Sequence, residues 1–357
     1  MKRLEDILMK PLHFNYDISE DIKVIHSRLG PALQSFNNKK FLITGGTGFF
    51  GRWLLEILCV LVRDQNFKIQ LYVLSRNPER FLSEHSKFSF KQYITFIKGD
   101  VTDFVMPDIE IDYLIHMATT AAEETFAGED QLKKLDLLYR GTRNTLENAV
   151  ASRVKKVLFT SSGVAYGPSS QGQFLSEEML QAPQTTLDAS ALGEGKRMAE
   201  YLVAYYAKKA DYRYSIARCF SFYGPFLPLD IHYAIGNFVR DALMSNEIIV
   251  KGSGQELRSY LYIADAWVWL LTLLINADNE IYNVGSSKSL SIAELSARVR
   301  DVLSPQKKVK ILGLIHNTGN FGRNVYVPNN NKICSKFQLS EWTSLTEGIK
   351  RMANIGN

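Results

Sequence analysis

The chain has 357 residues, 46% of them hydrophobic, with a formal net charge of +5. That is enough for one large α/β domain with a smaller second lobe, and enough apolar material for a real core. The mild positive excess suits acidic small molecules such as phosphate esters. The lack of a dense Lys/Arg run with interleaved aromatics argues against nucleic acid.

Residues 1–38 are charged throughout and lack the apolar stretch of a secretory signal. Within them, 17–29 is predicted as a helix capping the domain, with no chemistry of its own. A regular pattern begins at Lys40. Apolar strands are predicted at 41–44, 69–74, 93–97, 113–116, 154–160 and 214–219, and helices at 49–62, 131–151 and 191–208. The apolar run 54–62 is broken by Glu56 and closes on Arg63-Asp64, so it reads as a helix on a sheet. No run reaches the ~18 apolar residues of a membrane helix. Strands alternating with helices mean βαβ units, and short strands without alternation mean a parallel sheet covered on both faces. After Tyr223-Gly224-Pro225 the order loosens. The chain therefore divides into an N-terminal extension (1–38), a doubly wound α/β domain (39–225) and a smaller mixed α/β lobe (226–357) over the carboxyl edge of the sheet, where ligands of open sheets bind, and from which the chain can cross back to the first lobe. Cys59, Cys219 and Cys334 are odd in number and lack C-x-x-C spacing. They suggest neither disulfides nor a metal site, and read as reduced thiols in a cytoplasmic protein.

The first strand runs into Gly45-Gly46-Thr47-Gly48-Phe49-Phe50-Gly51 and then a helix. In that context Gly45 allows the tight turn, Gly48 lets the backbone approach a pyrophosphate, and Gly51 lets the helix pack closely. The helix N-terminus offers N–H groups and a positive dipole end to the phosphates. This is a Rossmann-type, doubly wound site for a nicotinamide dinucleotide. At the end of the second strand, Ser75-Arg76 stands where an acidic residue would bind the ribose hydroxyls of NAD. Arg76 can pair with a 2′-phosphate, stack on the adenine or stand as a solvated surface charge; the first reading favours NADP over NAD.

The G-x-x-G-x-x-G spacing resembles the short-chain dehydrogenase/reductase superfamily. Further matches follow in order: Gly99-Asp100-Val101, His116-Met117-Ala118-Thr119, Thr160-Ser161-Ser162-Gly163-Val164-Ala165-Tyr166-Gly167, and Arg218-Cys219-Phe220-Ser221-Phe222-Tyr223-Gly224-Pro225. Together they resemble the extended branch, the NAD(P)-dependent nucleotide-sugar epimerases and dehydratases, from about Lys40 to the C-terminus. The resemblance implies that Gly45, Gly48, Phe49, Phe50, Gly51, Ser75, Arg76, Asp100, Val101, Met117, Ala118, Thr119, Thr160 and Lys196 hold the cofactor. It implies that Ser221, Asn237, Arg258 and Arg323 hold a nucleoside diphosphate sugar, the arginines on its diphosphate. Asn237 has helix capping as its other reading. The resemblance also implies a homodimer through the helices at 131–151 and 191–208.

In this family a Tyr takes the proton of the sugar hydroxyl, a Lys four residues later lowers the Tyr pKa and binds the nicotinamide ribose, and a Ser or Thr bonds the same hydroxyl. Ser162 and Lys196 match; the Tyr position is Leu192, which cannot transfer a proton. Three readings follow. Another acid or base serves, with Glu123 and Glu124 after the fourth strand as first candidates and Tyr166 and Glu194 behind them. Or the protein binds nucleotide and sugar without turnover. Or Leu192 is an engineered change in an ordinary enzyme. The family's 4,6-dehydratases carry Asp-Glu after the catalytic Thr, where this chain has Gly163-Val164, so epimerisation, keto reduction or an atypical dehydration is expected.

Overall fold

The computed structural model describes residues 16–84, 91–119, 130–169, 173–231, 233–313 and 324–354. Helix α1 (Ser19–Leu29) precedes the first βαβ unit, formed by β1 (Lys40–Thr44), α2 (Phe49–Gln65) and β2 (Gln70–Ser75). Helix α3 (Pro78–Glu84), β3 (Ile94–Lys98), β4 (Tyr113–His116), α4 (Gln131–Ala151), β5 (Lys156–Ser162), α5 (Ala191–Ala210) and β6 (Arg213–Cys219) complete the alternation. These elements fall close to the predicted ones. Strand β5 starts later than expected because Arg153 is left-handed (φ +51°) and the Val154 amide still bonds back to the Ala149 carbonyl of α4. The helix's closing turn thus occupies two residues that hydropathy assigns to the strand.

The remaining chain contains β7 (Phe222–Tyr223), α6 (Ala234–Met244), β8 (Glu247–Val250), β9 (Leu257–Ser259), β10 (Leu261–Tyr262), α7 (Ile263–Asn276), β11 (Glu280–Val284), β12 (Ser289–Ser291), α8 (Ile292–Leu303), β13 (Lys308–Ile311), β14 (Val325–Tyr326), α9 (Asn331–Phe337) and α10 (Leu345–Met352). Strand β11 pairs in parallel with β6. Among the described residues the main sheet has seven strands, all parallel, in the order β11-β6-β5-β4-β1-β2-β3. The order reverses between β1 and β4, and ligands of such sheets bind in the crevice beyond the carboxyl ends of the strands at that point.

The sheet is doubly covered, as strands such as Phe41-Leu42-Ile43, fully buried, require. One face packs on Leu146 and Ala149 of α4 and Ala199, Leu202 and Val203 of α5. The other packs on α2 and α7, with Trp53, Trp267 and Trp269 wholly buried. Among the described residues no helix is long and apolar enough to cross a membrane.

Helix α1 lies against α7 and α2. Its buried Asp21 accepts a hydrogen bond from the Tyr262 hydroxyl (2.8 Å) and pairs with Arg351 of α10. Tyr16 adds a bond to the Met352 carbonyl at 2.7 Å. The segment ahead of β1 therefore fastens the end of the chain to the core.

Candidate active site

Gly45 is left-handed (φ +73°), and a Cβ there would lie 2.7 Å from the Met117 carbonyl carbon and 2.8 Å from the Ala118 nitrogen. A Cβ on Gly51 would lie 2.3 Å from the Gly46 Cα. The close packing at Gly51 is thus of helix against its own turn. Gly48 is the N-cap of α2 and brings no side chain to cap it, while the space its Cβ would take meets only the Gly45 carbonyl oxygen, at 3.6 Å. An open cradle above the first turn of a 17-residue helix suits a pyrophosphate. Phe49 and Phe50 stack edge to face, and Phe50 packs on Phe222 at 5.0 Å, so both rings brace the turn.

Ser75 is buried at the end of β2 and Arg76 beside it is exposed. Burial works to raise the Asp100 pKa. Hydrogen bonds from the Thr102 amide (3.0 Å) and hydroxyl (2.7 Å), together with the Arg76 charge, outweigh it and hold the carboxyl below its usual range. Arg76 and an ionised Asp100 therefore face each other at the carboxyl ends of β2 and β3. Val101 is buried against Gly141 of α4. The Met117 amide bonds the Thr44 carbonyl (3.1 Å), the Ala118 amide bonds the Thr44 hydroxyl (3.3 Å), and Thr119 is exposed beyond them. Thr44 also bonds His116 Nδ1 at 2.6 Å, while His116 Nε2 meets the Thr142 hydroxyl at 3.1 Å. Complete burial pushes this imidazole down to about 3, so it stays neutral. His116 is a strut beneath the cofactor turn, a role its place in the motif did not reveal.

Lys196 is buried and its Nζ donates to the Thr160 carbonyl at 2.8 Å. Burial is the main cause of its pKa falling to about 8. Thr160 and Ser162 stand on one face of β5, two residues apart. Ser162 Oγ accepts from the Val164 amide (3.3 Å) and lies 3.4 Å from the Tyr326 hydroxyl, which also donates to the Cys219 carbonyl at 3.4 Å. Leu192 is half-buried in the first turn of α5, one turn before Lys196.

A buried ion pair also lies at the ends of β5 and β6. Arg218 makes two bonds to Glu200, at 2.9 and 2.7 Å, and Glu200 also accepts from the Ser161 hydroxyl at 2.5 Å. The guanidinium stacks on Tyr166, 4.4 Å from the ring centre. Tyr166 is wholly buried, donates to Asn283 Oδ1 at 2.8 Å, and has its pKa pushed up to about 12 chiefly by burial. It is a packing residue, which removes it from the acid and base candidates. Glu194 is half-buried in the first turn of α5. Glu123, Glu124 and Arg323 lie outside the described residues.

Of the other substrate candidates, Arg258 on β9 donates to the Leu257 carbonyl (2.8 Å) and is the register partner of Tyr326 on β14. Ser221 is half-buried and its carbonyl accepts from Leu261 at 3.0 Å. Asn237 sits in the first turn of α6, whose N-cap is Tyr233 without a side-chain cap, so Asn237 does not cap this helix. Tyr326 went unremarked in the sequence because nothing local links β14 to Ser162, 164 residues earlier.

A parallel sheet with this strand order, a glycine turn at its switch point, a Ser at the end of β5 and a Lys near the start of α5 are the arrangement of the extended short-chain dehydrogenase/reductase branch. The chain belongs to the NAD dependent epimerase/dehydratase family, whose model matches residues 41–285. It is similar to UDP-glucuronic acid decarboxylase 6 of Arabidopsis thaliana, 28% identical over 286 residues covering 77% of this chain and 78% of that one. Its fold is that of a UDP-glucose 4-epimerase from Thermotoga maritima bound to UDP-glucose (TM-score 0.72, 19% identity, 88% of this chain and 97% of that one). A UDP-glucuronic acid 4-epimerase variant from Bacillus cereus, in complex with a UDP-sugar and NAD, shares it as well (TM-score 0.72, 21% identity, 88% and 98%).

Proposed function

We propose that the protein modifies the sugar of a nucleoside diphosphate sugar, by epimerisation, keto reduction or an atypical dehydration that begins with hydride transfer at the sugar ring. NADP is the favoured cofactor over NAD. The observation that carries this reading is the convergence of Lys196 and Ser162 on the end of β5, beside the open cradle of α2. A bound nicotinamide would accept or return the hydride. The chain's own residues would bind the phosphates at the first turn of α2, hold the sugar hydroxyl at Ser162 and bind the diphosphate at Arg258. The UDP-sugars named for the relatives make uridine the first nucleotide to try.

The test is incubation with UDP-glucose, UDP-glucuronic acid and their dTDP-, CDP- and GDP-linked counterparts, following nicotinamide absorbance and product by NMR. A new sugar product or a cofactor redox change supports the reading. Binding of nucleotide sugar with neither would instead establish a catalytically silent binding protein. For the cofactor, Arg76→Ala is expected to weaken NADP about tenfold, roughly 1.4 kcal/mol, and NAD little. Equal losses for the two would mean that Arg76 meets the adenine and not a 2′-phosphate.

A further inference from the structure

Resting on that reading, we propose that the Tyr326 phenol supplies the proton transfer that Leu192 cannot, approaching the sugar hydroxyl from β14 rather than from α5. Four observations place it there. Its hydroxyl spans the ends of two neighbouring strands, 3.4 Å from Ser162 Oγ on β5 and 3.4 Å from the Cys219 carbonyl on β6, and these two residues are register partners in the sheet. Its ring packs on Phe220 with centres 4.8 Å apart, which fixes the direction of the phenol. Its register partner is Arg258, so one short sheet presents the phenol and the candidate diphosphate ligand side by side.

The fourth observation concerns Gly163. A Cβ there would lie 2.9 Å from the Tyr326 hydroxyl and 2.7 Å from two Phe220 ring carbons. The lack of a side chain after Ser162 is what makes room for the phenol. Leu192 in place of the tyrosine and a glycine directly after Ser162 then have one explanation: the acid–base group has moved to another strand and needs the space. Lys196, bonded to the Thr160 carbonyl on the same face of β5, supplies a cation to that strand end.

The step balances as follows. The O–H bond of the sugar hydroxyl breaks and its proton goes to the Tyr326 phenolate, while the hydride from the same carbon passes to an oxidised nicotinamide dinucleotide and the carbonyl forms. In the return direction the phenol gives the proton back to the carbonyl oxygen.

Tyr326→Phe keeps the ring on Phe220 and removes only the hydroxyl. With UDP-glucose or UDP-glucuronic acid as probe, kcat is expected to fall 10²–10⁴-fold with KM within threefold. Adding Leu192→Tyr to that variant should recover at least tenfold. Gly163→Ala should lower kcat in the same manner by displacing the phenol. A readout independent of turnover is ultraviolet difference titration of the wild type against Tyr326→Phe, which isolates this phenol. Lys196→Met should move its titration up, since it removes the cation that favours the phenolate. The proposal is overturned if Tyr326→Phe keeps kcat within threefold, or if the isolated phenol titrates at the same pH with and without Lys196. Failure of the wild type to turn over any sugar would overturn the enzyme reading instead, and the titration would still decide on Tyr326.

Discussion

Glu200→Ala is expected to cost about 3–5 kcal/mol of folding stability, the largest loss of any single truncation considered for this site. The side chains of Glu200 and Arg218 are only 7% and 8% exposed. Removing the carboxylate leaves a guanidinium with no counter-charge, trapped between Tyr166 and the sheet, and takes the acceptor from the Ser161 hydroxyl. The cost is that of stranding a buried charge, not the net worth of the pair. Glu200→Gln, which keeps an acceptor, should therefore lose less, and Glu200→Leu with Arg218→Met should lose less than Glu200→Ala alone. Urea unfolding reads the effect as a fall in midpoint at unchanged slope. A loss below about 1 kcal/mol would mean that water reaches Arg218 and that the pair is not a dry one. The consequence reaches function as well, because Ser161 is the neighbour of Ser162 and its bond to Glu200 steadies the end of β5.

Lys196→Met should act in two opposite directions. Turnover, and retention of the dinucleotide, should fall by about 10²–10⁴-fold, the usual scale for a group that supports proton transfer in the transition state. The cofactor-free protein, however, should become more stable at neutral pH. Burial lowers the folded pKa of Lys196 to about 8 from an ordinary 10.5. Below pH 8 the lysine is charged in both states, and the folded protein carries the whole desolvation cost. Between pH 8 and 10.5 the unfolded chain binds more protons than the folded one, so wild-type stability rises with pH; above 10.5 the gain levels off. A shift of this size corresponds to about 3 kcal/mol. The difference between Lys196→Met and wild type should thus be greatest below pH 8 and shrink steadily to pH 10.5. Chemical denaturation of both proteins across that range is the measurement. A difference that stays constant with pH would show that the amine is solvated in the folded state. Stability given up at Lys196 is the expected mark of a residue kept for chemistry.

Much of this molecule was legible in the chain. The strands at 41–44 and 113–116 and the helix at 131–151 could be placed because parallel strands buried on both faces are short and uniformly apolar, and covering helices carry a 3.6-residue stripe. Both signals are local. The glycine turn was legible for the same reason, since its spacing records a backbone geometry within seven residues. Arg153 shows the limit at an element boundary, where a left-handed turn overrides hydropathy. Tyr166 shows another: a tyrosine in a motif looks like an acid or base until burial and the bond to Asn283 make it a strut.

Sequence by itself therefore determined the Rossmann-type fold and the family, and singled out Ser162, Lys196 and Leu192 as the candidates around which proton transfer has to be explained. What it could not determine was what lies opposite that gap. The Glu200–Arg218 pair, the neutral His116 beneath the turn and the phenol of Tyr326 all come together through contacts between distant parts of the chain. Their roles depend on burial, partner and register, none of which is a local property of the chain. Tertiary structure decided them by closing β14 onto β9 and the end of the main sheet, where a residue 164 positions from Ser162 arrives within 3.4 Å of it.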